Sequence, residues 1–371
     1  MIRILHVITQ LDRGGAERQL LALVRGLPAG RFEQEVVALR AGGALAPAFQ
    51  EAGCAVRALD RRDHGGPIGQ FLALARLLRR RPPDILQTWL VKANHVGRLA
   101  ACLSGQTPVL ATLRDMGYQV GPGDALLERL LAAGTSRVIH NSVQGRNAYL
   151  ARVHDPGRAW QLLLPNGVDA ERYRPDPAAR ERVRAALGVG PDDPVVIMVA
   201  RLHPIKDPRL FLAVGRKVRQ NLPAARFWLV GDGDLGPDLR RWLATEPDPG
   251  LWMAGDRDDV PALLAAADLA LLTSRSEGLS NMILESMAVG LPVLATAAGG
   301  NAELVREGET GQLLPSRDPD AIAERVEQLL QNPGLARELG KAGRRRVETD
   351  FSLALLAERS IGIYERLIEG A

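Results

Sequence analysis

Short, almost continuous apolar runs alternate along this chain with longer stretches whose apolar residues recur every three or four positions. In the first half the runs are Ile2–Ile8, Gln34–Leu39, Ala55–Leu59, Asp84–Thr88, Pro108–Thr112 and Arg137–Asn141. Helical periodicity fills most of the gaps, as in Ala16–Gly26 and Leu126–Ala133. The second half repeats the scheme with Pro194–Ala200, Arg226–Val230, Leu251–Ala254, Leu269–Thr273, Pro292–Thr296 and Gly311–Leu314. Strand-like runs that alternate with helices at this spacing predict parallel sheets covered on both faces. The expected fold class is α/β, with two doubly wound parallel-sheet domains. A turn-rich segment, PNGVDAERYRPD, separates the halves and puts the boundary near Leu164–Gly167. The predicted domains are residues 1–164 and 165–351, and a further helical run follows from Ser352 to Glu369.

Composition narrows the picture. A chain of 371 residues is too long for one ordinary core and suits two domains. Its 46% hydrophobic content is that of a globular protein. No apolar run reaches the ~18 residues of a membrane span, because Asp268 interrupts the best candidate, Leu263–Leu272. Met1 leads straight into the first strand, so no signal peptide is expected and the cytoplasm is the expected location. Cys54 and Cys102 sit in apolar settings without ligand spacing and read as buried, reduced thiols. Charge is uneven: residues 1–164 hold 21 Lys+Arg against 12 Asp+Glu, a net of +9, and the remainder nets −5. The basic half contains FLALARLLRRRPPD (Phe71–Asp84), an apolar-faced helix ending in Arg79, Arg80 and Arg81. It reads either as a peripheral contact with anionic membrane or as arginines suited to a helix C-terminus. Aromatics are only 4%, with no basic–aromatic interleaving, so nucleic acid is not an expected partner.

The densest chemical signal lies in SRSEGLSNMILESMAVGLPVLATAAGG, Ser274–Gly300. Glu277 and Glu285 stand eight positions apart, with a helix start between them. Ser280 is placed to cap that helix, so the turn Gly278, Leu279, Ser280 and Asn281 offers backbone N–H groups to an anion. Glu285, about one turn in, can accept hydrogen bonds from vicinal hydroxyls such as those of a ribose. Glu277, on the preceding loop, can meet a second set. Sugar, phosphate and ribose together outline a sugar nucleotide.

This Glu-x7-Glu segment, with GGAERQL (Gly14–Leu20), LPNGVD (Leu164–Asp169) and ARLHPIKD (Ala200–Asp207), resembles retaining glycosyltransferases of family 4. The likeness runs from about Ile2 to Leu367, with the four motifs in order. It implies a GT-B fold, two Rossmann-like domains facing a central cleft, with the last helix crossing back onto the first domain. It also implies that Arg201 and Lys206 bind a donor diphosphate, Glu277 the sugar hydroxyls and Glu285 the ribose. Two fixed cations and a helix N-terminus can stabilise a departing diphosphate without metal. Gly14 and Gly15 follow the first strand and would lie along the donor phosphate, their flexibility permitting close approach and positive φ. Gly231 and Gly233 would let backbone approach the nucleotide, and Gly255, Arg257 and Val260 belong to a stretch resembling the base-facing loop.

Departures from the family pattern matter too. Many relatives carry a histidine near the loop after the fourth strand. Here, in LQTWLVKANHVGRLAA, that position holds Lys92, with His95 one helical turn on. Either residue can serve the site; His95 equally reads as a packing histidine. Arg114, in TLRDMGY, is a candidate acceptor contact or a surface charge. GDGDLG (Gly231–Gly236) spells the dinucleotide fingerprint, but Pro237 follows at once, and no acidic residue ends the next strand. No metal-ligand cluster emerges, since Asp318 and Asp320 read as a helix start, so no cofactor or metal is expected. The expected activity is transfer of a sugar with retention from a nucleoside diphosphate, a UDP-sugar favoured over GDP-mannose. The expected acceptor is a glycan or lipid-linked molecule in bacterial surface polysaccharide or glycolipid synthesis, at the inner face of the cytoplasmic membrane. Two rivals stand: a sugar-nucleotide epimerase of the same architecture, and a non-catalytic sugar-nucleotide binder.

Overall fold

A computed structural model describes residues 1–105, 107–117, 121–153 and 161–369. The chain forms two compact units, Met1–Gly167 joined by the chain from Leu353, and Val168–Ser352. Unit 1 is built on seven parallel strands: β1 (Ile2–Ile8), β2 (Phe32–Ala38), β3 (Ala55–Ala58), β4 (Ile85–Trp89), β5 (Val109–Leu113), β6 (Arg137–His140) and β7 (Gln161–Leu163). Their order across the sheet is β3-β2-β1-β4-β5-β6-β7. Unit 2 holds six: β8 (Val195–Val199), β9 (Arg226–Val230), β10 (Leu251–Gly255), β11 (Leu269–Leu272), β12 (Val293–Thr296) and β13 (Gln312–Leu314), in the order β10-β9-β8-β11-β12-β13. All recorded pairings between these strands are parallel.

Helices cover the sheets, so the inner strands bury both faces. Every residue of β4, β5, β11 and β12 is buried. Burying each large aliphatic side chain contributes roughly 1.5–3 kcal/mol, which makes these strands the rigid part of each unit. The helices begin where side chains cap them. Asp318 accepts from Ala321 N–H ahead of the helix Pro319–Leu330, and Asn332 accepts from Leu335 N–H ahead of Pro333–Asp350. Strand order reverses between β1 and β4 in one sheet and between β8 and β11 in the other. At such switch points the strand-end loops part, leaving a crevice suited to ligands.

The helix Leu353–Glu369 belongs to unit 1. Leu356, Ile363, Tyr364 and Leu367 join a core that includes Leu20, Val24 and Trp89. The Tyr364 hydroxyl donates to Gln87 Oε1 at 2.6 Å in the middle of the sheet. Residues 370 and 371 lie outside the described residues. Strand β7 was not among the expected strands; it has three residues and no flanking periodicity. Cys54 is buried, and burial pushes its thiol pKa up to about 12. Cys102 is exposed, contrary to expectation, because its position on the helix Val91–Ser104 faces solvent. Among the described residues no helix is long and apolar enough to cross a membrane.

Two histidines are built into unit 1's sheet as neutral groups. His6 on β1 and His140 on β6 are almost fully buried, and burial pushes both pKa values down to about 4. An unfolded histidine titrates near 6.5, so the unfolded chain binds more protons between these limits. The stability they contribute is complete above about pH 6.5 and is lost as pH falls toward 4, up to about 3 kcal/mol per group. Urea unfolding of unit 1 should show this fall between pH 7 and pH 4.5, and His6→Gln should remove roughly half of the slope.

Candidate active site

The loops after β8 and β11, on either side of unit 2's switch point, carry the residues singled out by sequence. After β8 the chain runs through Arg201, makes a single 3-10 turn at Pro204–Lys206, and enters the helix Pro208–Asn221 through Asp207. Lys206 Nζ lies 2.6 Å from both carboxylate oxygens of Glu277, which follows β11. Ser274 Oγ donates to the same carboxylate at 2.6 Å, and Glu277 is buried. Arg201 stands in solvent, its Nη2 3.7 Å from Asp234. Ser280 caps the helix Asn281–Ala288, its Oγ accepting from Ile283 N–H. Gly278, Leu279 and Glu285 are buried beside it, with Asn281 at its first turn. Unit 2 therefore gathers Lys206, Glu277, Glu285 and one helix N-terminus at the carboxyl ends of adjacent strands.

Side chains to which the sequence reading gave no role hold these two loops together. Asp207 adopts a left-handed backbone, φ 47° and ψ 57°, and is mostly buried. Its carboxylate takes Arg275 Nη2 at 2.7 Å and Arg317 Nη2 at 2.5 Å, and also accepts from Leu210 N–H. Arg317, which follows β13, sends Nη1 to the carbonyl oxygens of Thr273 and Ser274 at 3.0 and 2.9 Å. Thr273 Oγ1 donates in turn to the carbonyl oxygens of Asp207 and Lys206. The Lys206 loop and the Glu277 loop are thus fixed by one arginine, one carboxylate and one hydroxyl.

The remaining residues have definite places. The glycine at 231 (φ 125°) pairs with Gly255, and a Cβ there would stand 2.1 Å from the Ala200 carbonyl oxygen. A Cβ on Gly233 would meet Leu202. Both glycines are closely packed against neighbouring backbone inside unit 2. Arg257 closes onto Asp259 with two bonds of 2.8 and 2.7 Å, which lower the Asp259 pKa, and buried Val260 opens the next helix. In unit 1, Gly14 caps the helix Gly15–Gly26 with φ −82°, not the positive φ its sequence permits. The space above its Cα is taken by the Glu17 carboxylate, only 2.1 Å from where a Cβ would sit. Lys92 is exposed on the first turn after β4. His95 Nε2 lies 3.0 Å from buried Glu128, which also takes Arg98 and the Tyr149 hydroxyl. Burial raises the Glu128 pKa, but the bonds from His95 and Arg98 outweigh it and the net shift is downward. This network occupies His95 within unit 1. Arg114 follows β5, with its Cζ 4.9 Å from the Trp89 ring centroid and Nη1 2.6 Å from Asn166 Oδ1. Among the described residues no group of three or more His, Cys, Asp or Glu side chains could hold a metal ion.

The Glycosyltransferase Family 4 pattern matches residues 13–172, and the Glycosyl transferases group 1 pattern matches residues 193–332. A GDP-mannose-dependent monoacylated alpha-(1-6)-phosphatidylinositol monomannoside mannosyltransferase of Corynebacterium glutamicum is 32% identical over 307 residues, 79% of each chain. This protein belongs to glycosyltransferase family 4. The UDP-Gal:alpha-D-GlcNAc-diphosphoundecaprenol alpha-1,3-galactosyltransferase of Escherichia coli is 27% identical to this glycosyltransferase over 79% of it and 78% of the relative. The crystal structure of Anabaena HepE in complex with UDP and glucose superposes with a TM-score of 0.87 over 98% of this chain and 100% of that one, at 23% identity. The fold is GT-B, and the glycosyltransferase is of the hexosyltransferase type that its relatives' names describe.

The clamp on the two loops yields a stability prediction for the glycosyltransferase. Arg317→Ala leaves Asp207 with one arginine and removes the guanidinium bonds to the Thr273 and Ser274 carbonyls, and should cost unit 2 about 1–3 kcal/mol. Urea denaturation measures this, and Arg317→Lys should recover only part of it, because an ammonium lacks the planar fork that spans three acceptors.

Proposed function

We propose that this glycosyltransferase transfers a sugar from a nucleoside diphosphate, with retention and without metal, to a glycan or lipid-linked acceptor in bacterial surface polysaccharide or glycolipid synthesis. The observation that carries the reading is Lys206 held 2.6 Å from Glu277 beside the capped start of the helix Asn281–Ala288. An ammonium and a helix N-terminus are what a departing diphosphate requires, and a buried carboxylate is what sugar hydroxyls require. When the donor enters, Lys206 exchanges the Glu277 carboxylate for phosphate oxygens, and Glu277 turns its lone pairs to the sugar. Arg201, already in solvent, supplies the second cation. Glu285, farther along the helix, accepts from the ribose. The acceptor hydroxyl would approach on the leaving group's side, and the departing phosphate would take its proton.

A UDP-sugar is the favoured donor; the galactosyltransferase relative is named for UDP-Gal, the Anabaena structure for UDP, and the mannosyltransferase relative for GDP-mannose. The relatives' names also carry diphosphoundecaprenol and phosphatidylinositol, which supports a lipid-linked acceptor reached at the inner face of the cytoplasmic membrane. Exposed Leu126 and Leu130 on one helix, and Leu99 and Leu103 on its neighbour, support a peripheral contact there. The Arg79–Arg81 run supports it less than expected. Arg79 donates to the Leu103 carbonyl and Arg81 to Glu33, both inside unit 1.

Calorimetric titration with UDP, GDP, ADP and NAD, each with a chelator present, tests the reading. One nucleoside diphosphate should bind, and Glu285→Ala should weaken it about 10–100-fold through lost charge-assisted hydrogen bonds. Binding of NAD alone, or of nothing until a divalent metal is added, would sink it.

A further inference from the structure

Unit 1 contains a charged group that the donor site does not use. Trp89 ends β4, Arg114 follows β5, Asn141 follows β6 and Asn166 follows β7, so the four stand at the carboxyl ends of neighbouring strands. This is the edge of an open parallel sheet where ligands bind. Arg114 lies over the Trp89 ring and spends one N–H group, on Nη1, on the neutral Asn166 side chain. Its Nε and Nη2 atoms are buried and have no hydrogen-bond partner among the described residues. These two N–H groups form one edge of the guanidinium, spaced to grip a carboxylate or phosphate with two parallel bonds. Asn141 Oδ1, close by, is likewise buried without a partner.

Among the described residues no carboxylate answers the charge. Arg114 forms no ion pair among the described residues, and the group that acts on it electrostatically is the Tyr364 phenol. Tyr364 is neutral, since burial pushes its pKa up, and its hydroxyl is spent on Gln87. Burial lowers the Arg114 pKa only to about 10, which leaves the guanidinium charged at neutral pH. A buried cation held by one neutral hydrogen bond and an aromatic face is a burden on the free protein. A substrate anion would relieve it.

We propose that Arg114 is the recognition point for an oxyanion of a substrate, a phosphate or carboxylate gripped by the Nε–Nη2 edge, with Asn141 placed beside it for a hydroxyl. The proposal rests on the glycosyltransferase reading above and sharpens it: the acceptor carries a negative charge. Unit 2 already presents Arg201, Lys206 and a helix N-terminus to the donor diphosphate, which favours the acceptor as the source of this second anion.

The test uses inorganic pyrophosphate as probe, in thermal melting and calorimetry, with UDP or GDP held at saturation so that the donor site is filled. Wild-type protein should melt higher as pyrophosphate is added. Arg114→Gln should melt at or above the wild-type temperature without probe, and its affinity for pyrophosphate should fall at least about tenfold. Asn166→Asp, which gives Arg114 an internal carboxylate, should also melt higher and lose the response. A response that disappears once nucleotide is bound, with weaker UDP or GDP binding in Arg114→Gln, would keep the oxyanion site and assign it to the donor's own diphosphate. Equal responses in wild type and Arg114→Gln, or none in any arm while the nucleotide still binds, overturn the proposal. A wild type that binds no nucleotide at all overturns the donor reading instead.

Discussion

Asp207 is the point on which unit 2's chemistry turns. A left-handed backbone is costly for a residue with a side chain, and Asp207 sits there between the lysine that faces Glu277 and the helix that follows. What keeps it there is charge. Two arginines converge on its carboxylate, and one of them reaches across to the carbonyls at the head of the Glu277 loop. Glycine would take the same turn without strain, but it would bring no carboxylate, and Arg317 would lose the anchor that aligns it. The position therefore exchanges backbone ease for a fixed distance between two loops. That distance sets whether an ammonium and a carboxylate can meet one ligand together.

The two units handle charge differently. In unit 2 the charged groups near the switch point are paired with one another, Lys206 with Glu277 and Asp207 with its arginines, and Thr296 is paired with the Ser274 carbonyl. A ligand entering there has to compete for partners already engaged. In unit 1, Glu128 binds up Arg98, His95 and Tyr149 behind the strand ends, but Arg114 keeps two of its three guanidinium nitrogens without a partner among the described residues.

Sequence pattern revealed the architecture because buried parallel strands have to be apolar on both faces. VVIMV, LALL and VLAT can hardly be anything else between glycines, prolines and helices. It failed at β7, where three residues are too few to show a period. The outline of the candidate site was legible for a local reason: Glu277, Ser280 and Glu285 lie on one short loop and the helix it feeds. Arg317 was not, since it reaches Asp207 from 110 positions away and nothing nearby in sequence records the partnership. The glycines were legible only in part. Their type signals that a Cβ has no room, but not what fills the space. At Gly14 it is the Glu17 carboxylate, and at Gly231 it is the Ala200 carbonyl.

The threading of the chain has a consequence for how it is made. Unit 2 is continuous from Val168 to Ser352, so all its strands and helices can assemble as soon as that stretch is synthesised. Unit 1 begins first but lacks the helix Leu353–Glu369, whose Tyr364 and Leu367 fill its core against Trp89 and Leu20. Until that helix arrives, the sheet's own face is open, Gln87 lacks its hydroxyl donor, and an apolar surface waits on the ribosome. The half translated second is therefore the half completed first. During synthesis, it is the basic N-terminal unit that most needs shielding from wrong partners.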